Sequence, residues 1–233
     1  MKTSIYFRHR FHPDIIRKTI WLYFRFNLSF RDIEDMMAER GVDVSYETIR
    51  RWVNKFGLTY AKRIKRRSDK PSKVWHLDEV FVRIDGKLAY LWRAVDDEGT
   101  VLDVVVQTRR NRKAALRLIR KLLKNQGVKP ERIVTDRLAS YGAALRDIGL
   151  SGLQDVGGRK NNIAECSHVP IRRRERKAQR FRSIGSAQRL LSAYGQIYNL
   201  FNIRRHLISR NTMKIFRDLA MANWDIATSM GTK

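Results

Sequence analysis

The sequence predicts an all-α domain followed by an α+β domain built on a mixed sheet. Three observations carry this expectation. Apolar residues recur at helical spacing up to Phe56, alternate as in strands from Val74, and return to helical spacing after Arg112. Asp85-Gly86 separates two apolar runs, a strong hairpin signal because both residues tolerate φ > 0. The 233 residues suffice for one small domain and one of ordinary size.

Residues 1–60 read as three helices. The first begins at Pro13, where the missing N–H costs nothing, and places Ile16, Ile20, Tyr23 and Phe24 on one side. Ser29 caps the second, with Asp32 three residues on in a capping-box arrangement, an apolar face of Ile33, Met36 and Met37, and Gly41 at its end. Ser45 caps the third, whose Ile49, Trp52, Val53 and Phe56 recur at i, i+3, i+4 and i+7. Its other face carries Tyr46, Thr48, Arg50, Arg51 and Asn54, groups suited to bases and phosphates. Such a pairing of faces is that of a helix-turn-helix recognition helix, although the turn from Arg40 to Val44 is longer than usual. A plain three-helix bundle is the competing reading. Residues 61–73 are basic and are expected to form a linker that touches the DNA backbone.

The core is expected over residues 74–185. VWHLDEVFVRI, KLAYLWRAV and VLDVVVQT read as three antiparallel strands, followed by a helix near Arg112–Lys124 with Ala115, Leu118, Ile119 and Leu122 inward. RIVTD reads as a short buried strand and residues 139–148 as a helix. After a Gly-containing loop, a long basic helix starts near Asn162, with Pro170 a point of bending. Residues 186–233 are expected to be a helical extension, with Leu190, Leu191, Tyr194, Ile197 and Phe201 at helical spacing. The order βββαβα followed by helices resembles the ribonuclease-H-like fold, within the α+β class.

Lys and Arg number 49 against 23 Asp and Glu, a formal net charge of +26. A field of one sign this strong attracts phosphate and speeds association with it, so double-stranded DNA is the expected partner. No run approaches the roughly 18 apolar residues of a membrane-spanning helix. The opening MKTSIYFRHRFHPD lacks the apolar centre of a signal peptide, and a cytoplasmic, nucleoid-associated location is expected. Cys166 is the single cysteine, which excludes an internal disulfide and a Cys-based zinc site.

Three acidic residues stand apart from those in turns. Asp78 lies inside the first strand, an odd place for a charge unless it is used. Alternation sends Asp78 and Glu79 to opposite faces, so only one of them is expected in a shared site. Asp136 ends the RIVTD strand, where strand tips face a crevice. Glu165 falls near the start of the long helix, with His168 one turn on. The intervals are 57 and then 28 intervening residues. Taken singly, Asp78 reads equally as a salt-bridge partner and Asp136 as a helix cap. Taken together, they suit a divalent-metal site facing a polyanion. Carboxylates about 4 Å apart repel by roughly 4 kcal/mol at an effective dielectric near 20, which a cation relieves. Hard oxygen ligands suit Mg²⁺ or Mn²⁺, and two ions can serve the attacking and leaving oxygens of phosphoryl transfer.

WHLDEVFV, YLWRAVD, RRNRKAA, VTDRLASYG and NNIAECSHVPIRRRERKAQRFRS, with SFRDIEDMMAERG and ETIRRWV in the N-terminal part, resemble the DDE transposases of the insertion-sequence-six family of bacterial insertion sequences. The resemblance implies a helix-turn-helix domain before a ribonuclease-H-like core, with Asp78, Asp136 and Glu165 as catalytic and metal-binding triad. It also implies binding to the element's terminal repeats and to target DNA, metal-dependent strand cleavage and transfer, and a homodimer or larger assembly. Arg137 stands where lysine is usual and keeps the charge; Ile163 replaces a common arginine; the interval from Asp136 to Glu165 is short.

Residues 159–182 hold nine basic residues: Arg159, Lys160, Arg172, Arg173, Arg174, Arg176, Lys177, Arg180 and Arg182. Of these, Arg172, Arg173, Arg176 and Lys177 are the leading candidates for backbone contacts near the metals. His168 is a candidate to orient Glu165 or a substrate phosphate, with a surface hydrogen bond as the plain alternative. Two other functions compete: a non-catalytic helix-turn-helix regulator, and a nuclease of the same fold that cleaves without joining. A tyrosine recombinase is disfavoured, because Tyr141, Tyr194 and Tyr198 lack an accompanying Arg/His/Arg set.

Overall fold

The computed structural model describes residues 4–157, 161–177, 181–204 and 207–229. The chain divides into two units, residues 1–68 with 196–233, and residues 69–195. Helices α1 (Pro13–Arg25), α2 (Phe30–Ala38), α3 (Tyr46–Arg67) and α8 (Arg210–Thr228) make the first. Their ends follow local chemistry. The Ser29 N–H donates to Asp32 Oδ2 at 2.8 Å and the Asp32 N–H to Ser29 Oγ at 3.1 Å, the two halves of a capping box. After α2, Gly41 takes φ +72°, a backbone that side chains disfavour.

The linker expected over 61–73 is for the most part helix. Helix α3 runs on to Arg67 because Tyr60, Ala61 and Ile64 prolong the buried stripe of Ile49, Trp52, Val53 and Phe56. Only 68–73 lack helix or strand. The tip of α3 is anchored at Tyr60, whose hydroxyl meets that of Tyr6 at 2.5 Å and whose ring stands edge-on to Trp224 of α8. Helix α8 itself was not foreseen. Ser209 caps it, and Ala220, Trp224 and Ala227 form its buried side. The extension expected over 186–233 is likewise divided: α7 (Ile184–Phe201) belongs to the second unit up to Gly195 and to the first from Gln196.

The second unit is a five-stranded sheet in the order β3-β2-β1-β4-β5, built from β1 (Val74–Ile84), β2 (Lys87–Asp96), β3 (Val101–Gln107), β4 (Arg132–Thr135) and β5 (Gln154–Val156). β1, β2 and β3 pair antiparallel; β4 and β5 run parallel to β1. This is the ribonuclease-H-like arrangement. Asp85 (φ +50°) and Gly86 (φ +74°) close the β1–β2 hairpin in the left-handed geometry that two-residue turns require. The short β5 falls where the sequence suggested loop, since three residues cannot display an alternation.

One face of the sheet carries the core. Trp75, Leu77, Trp92, Ala94 and Val105 pack against Ala115, Leu118, Ile119 and Leu122 of α4 (Arg112–Asn125) and Tyr141, Ala144 and Leu145 of α5 (Ala139–Arg146). At about 25 cal/mol per Å² of apolar surface, each large side chain buried there contributes roughly 1.5–3 kcal/mol. Helix α6 (Asn162–Lys177) lies against β1 and β2. Among the described residues no helix is long and apolar enough to cross a membrane.

Candidate active site and nucleic-acid interface

The parallel register of β1 and β4 decides where the acids meet. Leu77 pairs with Thr135, the last residue of β4, and β1 continues alone beyond it on that side. Asp78 and Asp136 are the next residue of each strand, so both stand at the mouth of this opening. One carboxylate oxygen from each of Asp78, Glu79 and Asp136 lies within 4.8 Å of the other two. Glu79 was expected to be excluded by strand alternation. The two neighbours do take different partners, Asp78 on α6 and Glu79 on α5 and the β3–α4 loop. With no strand beside β1 here, and with one more methylene on Glu79, their oxygens still meet at the edge.

Each acid is held differently. Asp78 is nearly buried, and its Oδ2 meets His168 Nε2 at 3.0 Å. A carboxylate is an acceptor, so His168 donates through Nε2. Asp136 Oδ1 accepts the Leu138 N–H at 3.0 Å, which fixes the turn after β4; α5 has no side-chain cap of its own. Glu79 Oε1 accepts from Nε of Arg110 at 2.7 Å and from a second Arg110 nitrogen. Burial pushes the Glu79 carboxyl above the usual range; the Arg110 hydrogen bond opposes this, and the charge of Asp136 adds to it. The Tyr141 phenol, fully buried in the core, is pushed well up, first by burial and then by the charges of Glu79 and Asp78.

Helix α6 supplies the third expected acid in another setting. Ala164, His168, Ile171 and Arg174 form its buried side, while Glu165 is exposed and outside the cluster of three acids. His168 was expected beside Glu165 or a phosphate, and in the structure its partner is Asp78. Asn161, directly before α6, is buried and donates from Nδ2 to the Leu77 carbonyl at 2.9 Å. At the far end, Glu175 Oε1 accepts the Arg83 N–H at 2.9 Å. The helix is therefore tied to β1 on both sides of Asp78. Sequence reasoning missed Asn161, whose signal was a short amide at a helix start, and Glu79, whose signal was a second acid inside a strand.

The expected DNA contacts divide by exposure. Tyr46, Arg50, Arg51 and Asn54 are exposed on α3, and Thr48 is half-buried. Arg50 and Arg51 both pair with Glu47, at 2.7 and 3.3 Å, and Arg31 stacks over the Tyr46 ring at 4.3 Å. The Arg50 hydrogen bond, with Arg51 adding to it, lowers the Glu47 carboxyl to about 2. On α6, Arg173 and Arg176 are exposed, Lys177 is half-buried, and Arg172 is half-buried over the Phe81 ring at 4.5 Å. Arg174 is buried and leaves the set of surface contacts. Arg159, Lys160 and Arg180 lie outside the described residues.

Comparison with known proteins bears on this geometry. A family profile described as a DDE domain matches residues 72–204, which contain the whole acidic cluster and Glu165. The chain is 32% identical over 206 residues to the transposase for insertion sequence-like element IS431mec of Staphylococcus aureus, spanning 86% of this chain and 90% of that protein. The chain belongs to the insertion-sequence-six family of DDE transposases. The transposase is similar at the same identity and coverage to the transposase for insertion sequence element IS257 in transposon Tn4003, also of Staphylococcus aureus. A chain in the solved structure of the simian T-cell lymphotropic virus intasome with PP2A regulatory subunit B56 gamma is similar at 14% identity and a TM-score of 0.43, over 57% of the transposase and 50% of that chain.

Proposed function

We propose that this transposase binds the ends of a small insertion sequence and carries out Mg²⁺- or Mn²⁺-dependent strand cleavage and strand transfer, with Asp78, Asp136 and Glu165 as its catalytic carboxylates. The observation that carries this reading is the meeting of Asp78 and Asp136 at the open end of β4 in a chain of net charge +26. The donor set fits a hard divalent cation: carboxylate oxygens, one of them a buried Glu79 oxygen without a well-formed hydrogen bond. Asp78 and Asp136 would hold the ion from the sheet. Glu165 sits on the helix turn before His168, about 5 Å along the axis, and would complete the set from α6. A bound ion supplies charge neutralisation at the phosphate and a more acidic attacking hydroxyl.

The chain's own residues do the rest. His168 fixes the Asp78 carboxylate by its 3.0 Å hydrogen bond, so the carboxylate does not have to be ordered when substrate arrives. Arg173 and Arg176 hold the DNA backbone beside the site, and Arg50 and Arg51 of α3 read the terminal repeat. Water attacks the scissile phosphorus and the 3′ oxygen leaves as a hydroxyl. That hydroxyl then attacks a target phosphodiester, forming one P–O bond as another breaks, with little covalent chemistry asked of the protein. Because two element ends must meet, a dimer or larger assembly is expected. The exposed apolar residues Ile215, Phe216, Leu219 and Ile226 of α8 support self-association.

The test is Mg²⁺-dependent nicking and joining of a labelled duplex carrying the element's terminal repeat, with wild type beside Asp78→Asn. Joined products from wild type and none from the variant are expected. Binding without chemistry in both would favour a regulator; nicking without joining would favour a nuclease.

A further inference from the structure

The set Asp78, Asp136 and Glu165 leaves one clustered carboxylate unused. We propose that Glu79 is a cation ligand of this transposase, forming one divalent-metal site with Asp78 and Asp136, while Glu165 serves the second ion. This rests on the reading of Asp78 and Asp136 as metal ligands.

The geometry argues for it in three ways. First, the Glu79 side chain is 3% exposed, in contrast to the exposed Glu165, and its oxygen lies within 4.8 Å of those of Asp78 and Asp136. A carboxylate does not stay buried beside two others without compensation. Second, compensation is incomplete in the protein alone. Arg110 holds Oε1, and three ionised carboxylates less one guanidinium leave two negative charges, the charge of one divalent cation. Oε2, the oxygen that Arg110 does not take, is buried with no well-formed hydrogen bond. Third, the Tyr141 hydroxyl is fully buried and also has no well-formed hydrogen bond, while its surroundings are dominated by the charges of Glu79, Asp78 and Asp136. Its ring is fixed edge-on against Trp92 at 5.4 Å, so the hydroxyl cannot turn away to solvent. Two orphaned polar groups converging on an acidic cluster are what a hydrated ion would satisfy, because Mg²⁺ keeps several waters that can reach both. Arg110 is then a positioning residue: by fixing Oε1 it aims Oε2.

The experiment is Mn²⁺ binding to the full chain, followed by the electron-spin-resonance signal of free ion. Glu79→Gln keeps the size and the Arg110 contact while removing the charge. It is expected to weaken the tightest Mn²⁺ site by roughly tenfold or more, whereas Glu165→Gln leaves that site within about threefold. Glu79→Gln binding Mn²⁺ like wild type would overturn the proposal and leave the Asp78, Asp136 and Glu165 reading standing. Asp78→Asn binding like wild type would overturn that reading itself. Anomalous diffraction from wild-type crystals soaked in Mn²⁺ decides the matter without any variant. An ion within about 2.2 Å of a Glu79 oxygen supports the proposal, and an ion on Asp78 and Asp136 with Glu79 out of reach overturns it.

Discussion

Helices α3 and α6 share a design and use it differently. Each is basic, each carries one acid in its first turn, and each ends in arginine and lysine, the charge order that complements a helix dipole. In α3 the acid is Glu47, and the residues three and four further on are Arg50 and Arg51, both of which grip it. In α6 the acid is Glu165, and the corresponding residues are His168, turned to Asp78, and Val169. Among the described residues Glu165 has no ion pair. The contrast separates a carboxylate spent on its own helix from one left open to a cation, and the i+3 and i+4 neighbours are what tell them apart.

The sharpest way to break this comparison is to neutralise both acids. Glu165→Gln is expected to lower strand transfer by about a thousandfold, roughly 4 kcal/mol of lost charge stabilisation, with binding to terminal-repeat DNA unchanged in a gel-shift assay. Glu47→Gln should leave strand transfer within a few-fold. Equal kinetic losses in the two would remove the functional distinction between the helices.

His168 is the next test, since it marks which face of α6 serves the site. His168→Ala is expected to reduce joining by roughly 10- to 100-fold, the usual scale for a residue that orients a metal-binding carboxylate. Weaker Mn²⁺ binding in the same variant separates positioning from a purely structural loss, and partial recovery with His168→Asn or His168→Gln, either of which offers a donor, would confirm it.

The arginines sharpen the comparison further. Arg50→Ala or Arg51→Ala should cost about 1–3 kcal/mol of preference for the terminal repeat over random duplex. Arg173→Ala or Arg176→Ala should weaken binding to every duplex and flatten the log–log salt dependence by about 0.9. Equal losses on specific and random DNA for Arg50→Ala and Arg51→Ala would sink the assignment of α3 as the reading helix.

Much of this was legible in the sequence because it is local. Caps at Ser29 and Ser45, the Asp85-Gly86 turn and the apolar stripes of α1 to α4 depend on residues a few positions apart. What stayed hidden depends on partners far along the chain. The meeting of Glu79 with Asp136 follows from β4 ending opposite Leu77, a register no local pattern reports. The bond from His168 to Asp78 follows from which side of α6 faces the sheet, and the stripe Ala164, His168, Ile171 contains just one strongly apolar residue. The prolonged α3 is a different case. Tyr60 and Ile64 continued its period in plain view, but the surrounding lysines and arginines disguised it as a linker.

The smallest effect expected concerns Glu47. Its carboxyl sits at about 2 against an ordinary 4.5, so the ion pairs with Arg50 and Arg51 are complete above about pH 4.5 and are lost as the pH falls through about 2. Near neutral pH the pairs are therefore always present, and DNA must compete with Glu47 for both arginines. Glu47→Ala removes that competitor and is expected to tighten binding to random duplex by about two- to fivefold at low salt, fading as salt is raised, because the pairs are exposed and screened. Fluorescence anisotropy on a random duplex at two salt concentrations reads this out. Unchanged or weaker binding at low salt would mean that Glu47 holds the two arginines in the posture DNA needs, making it part of the reading surface.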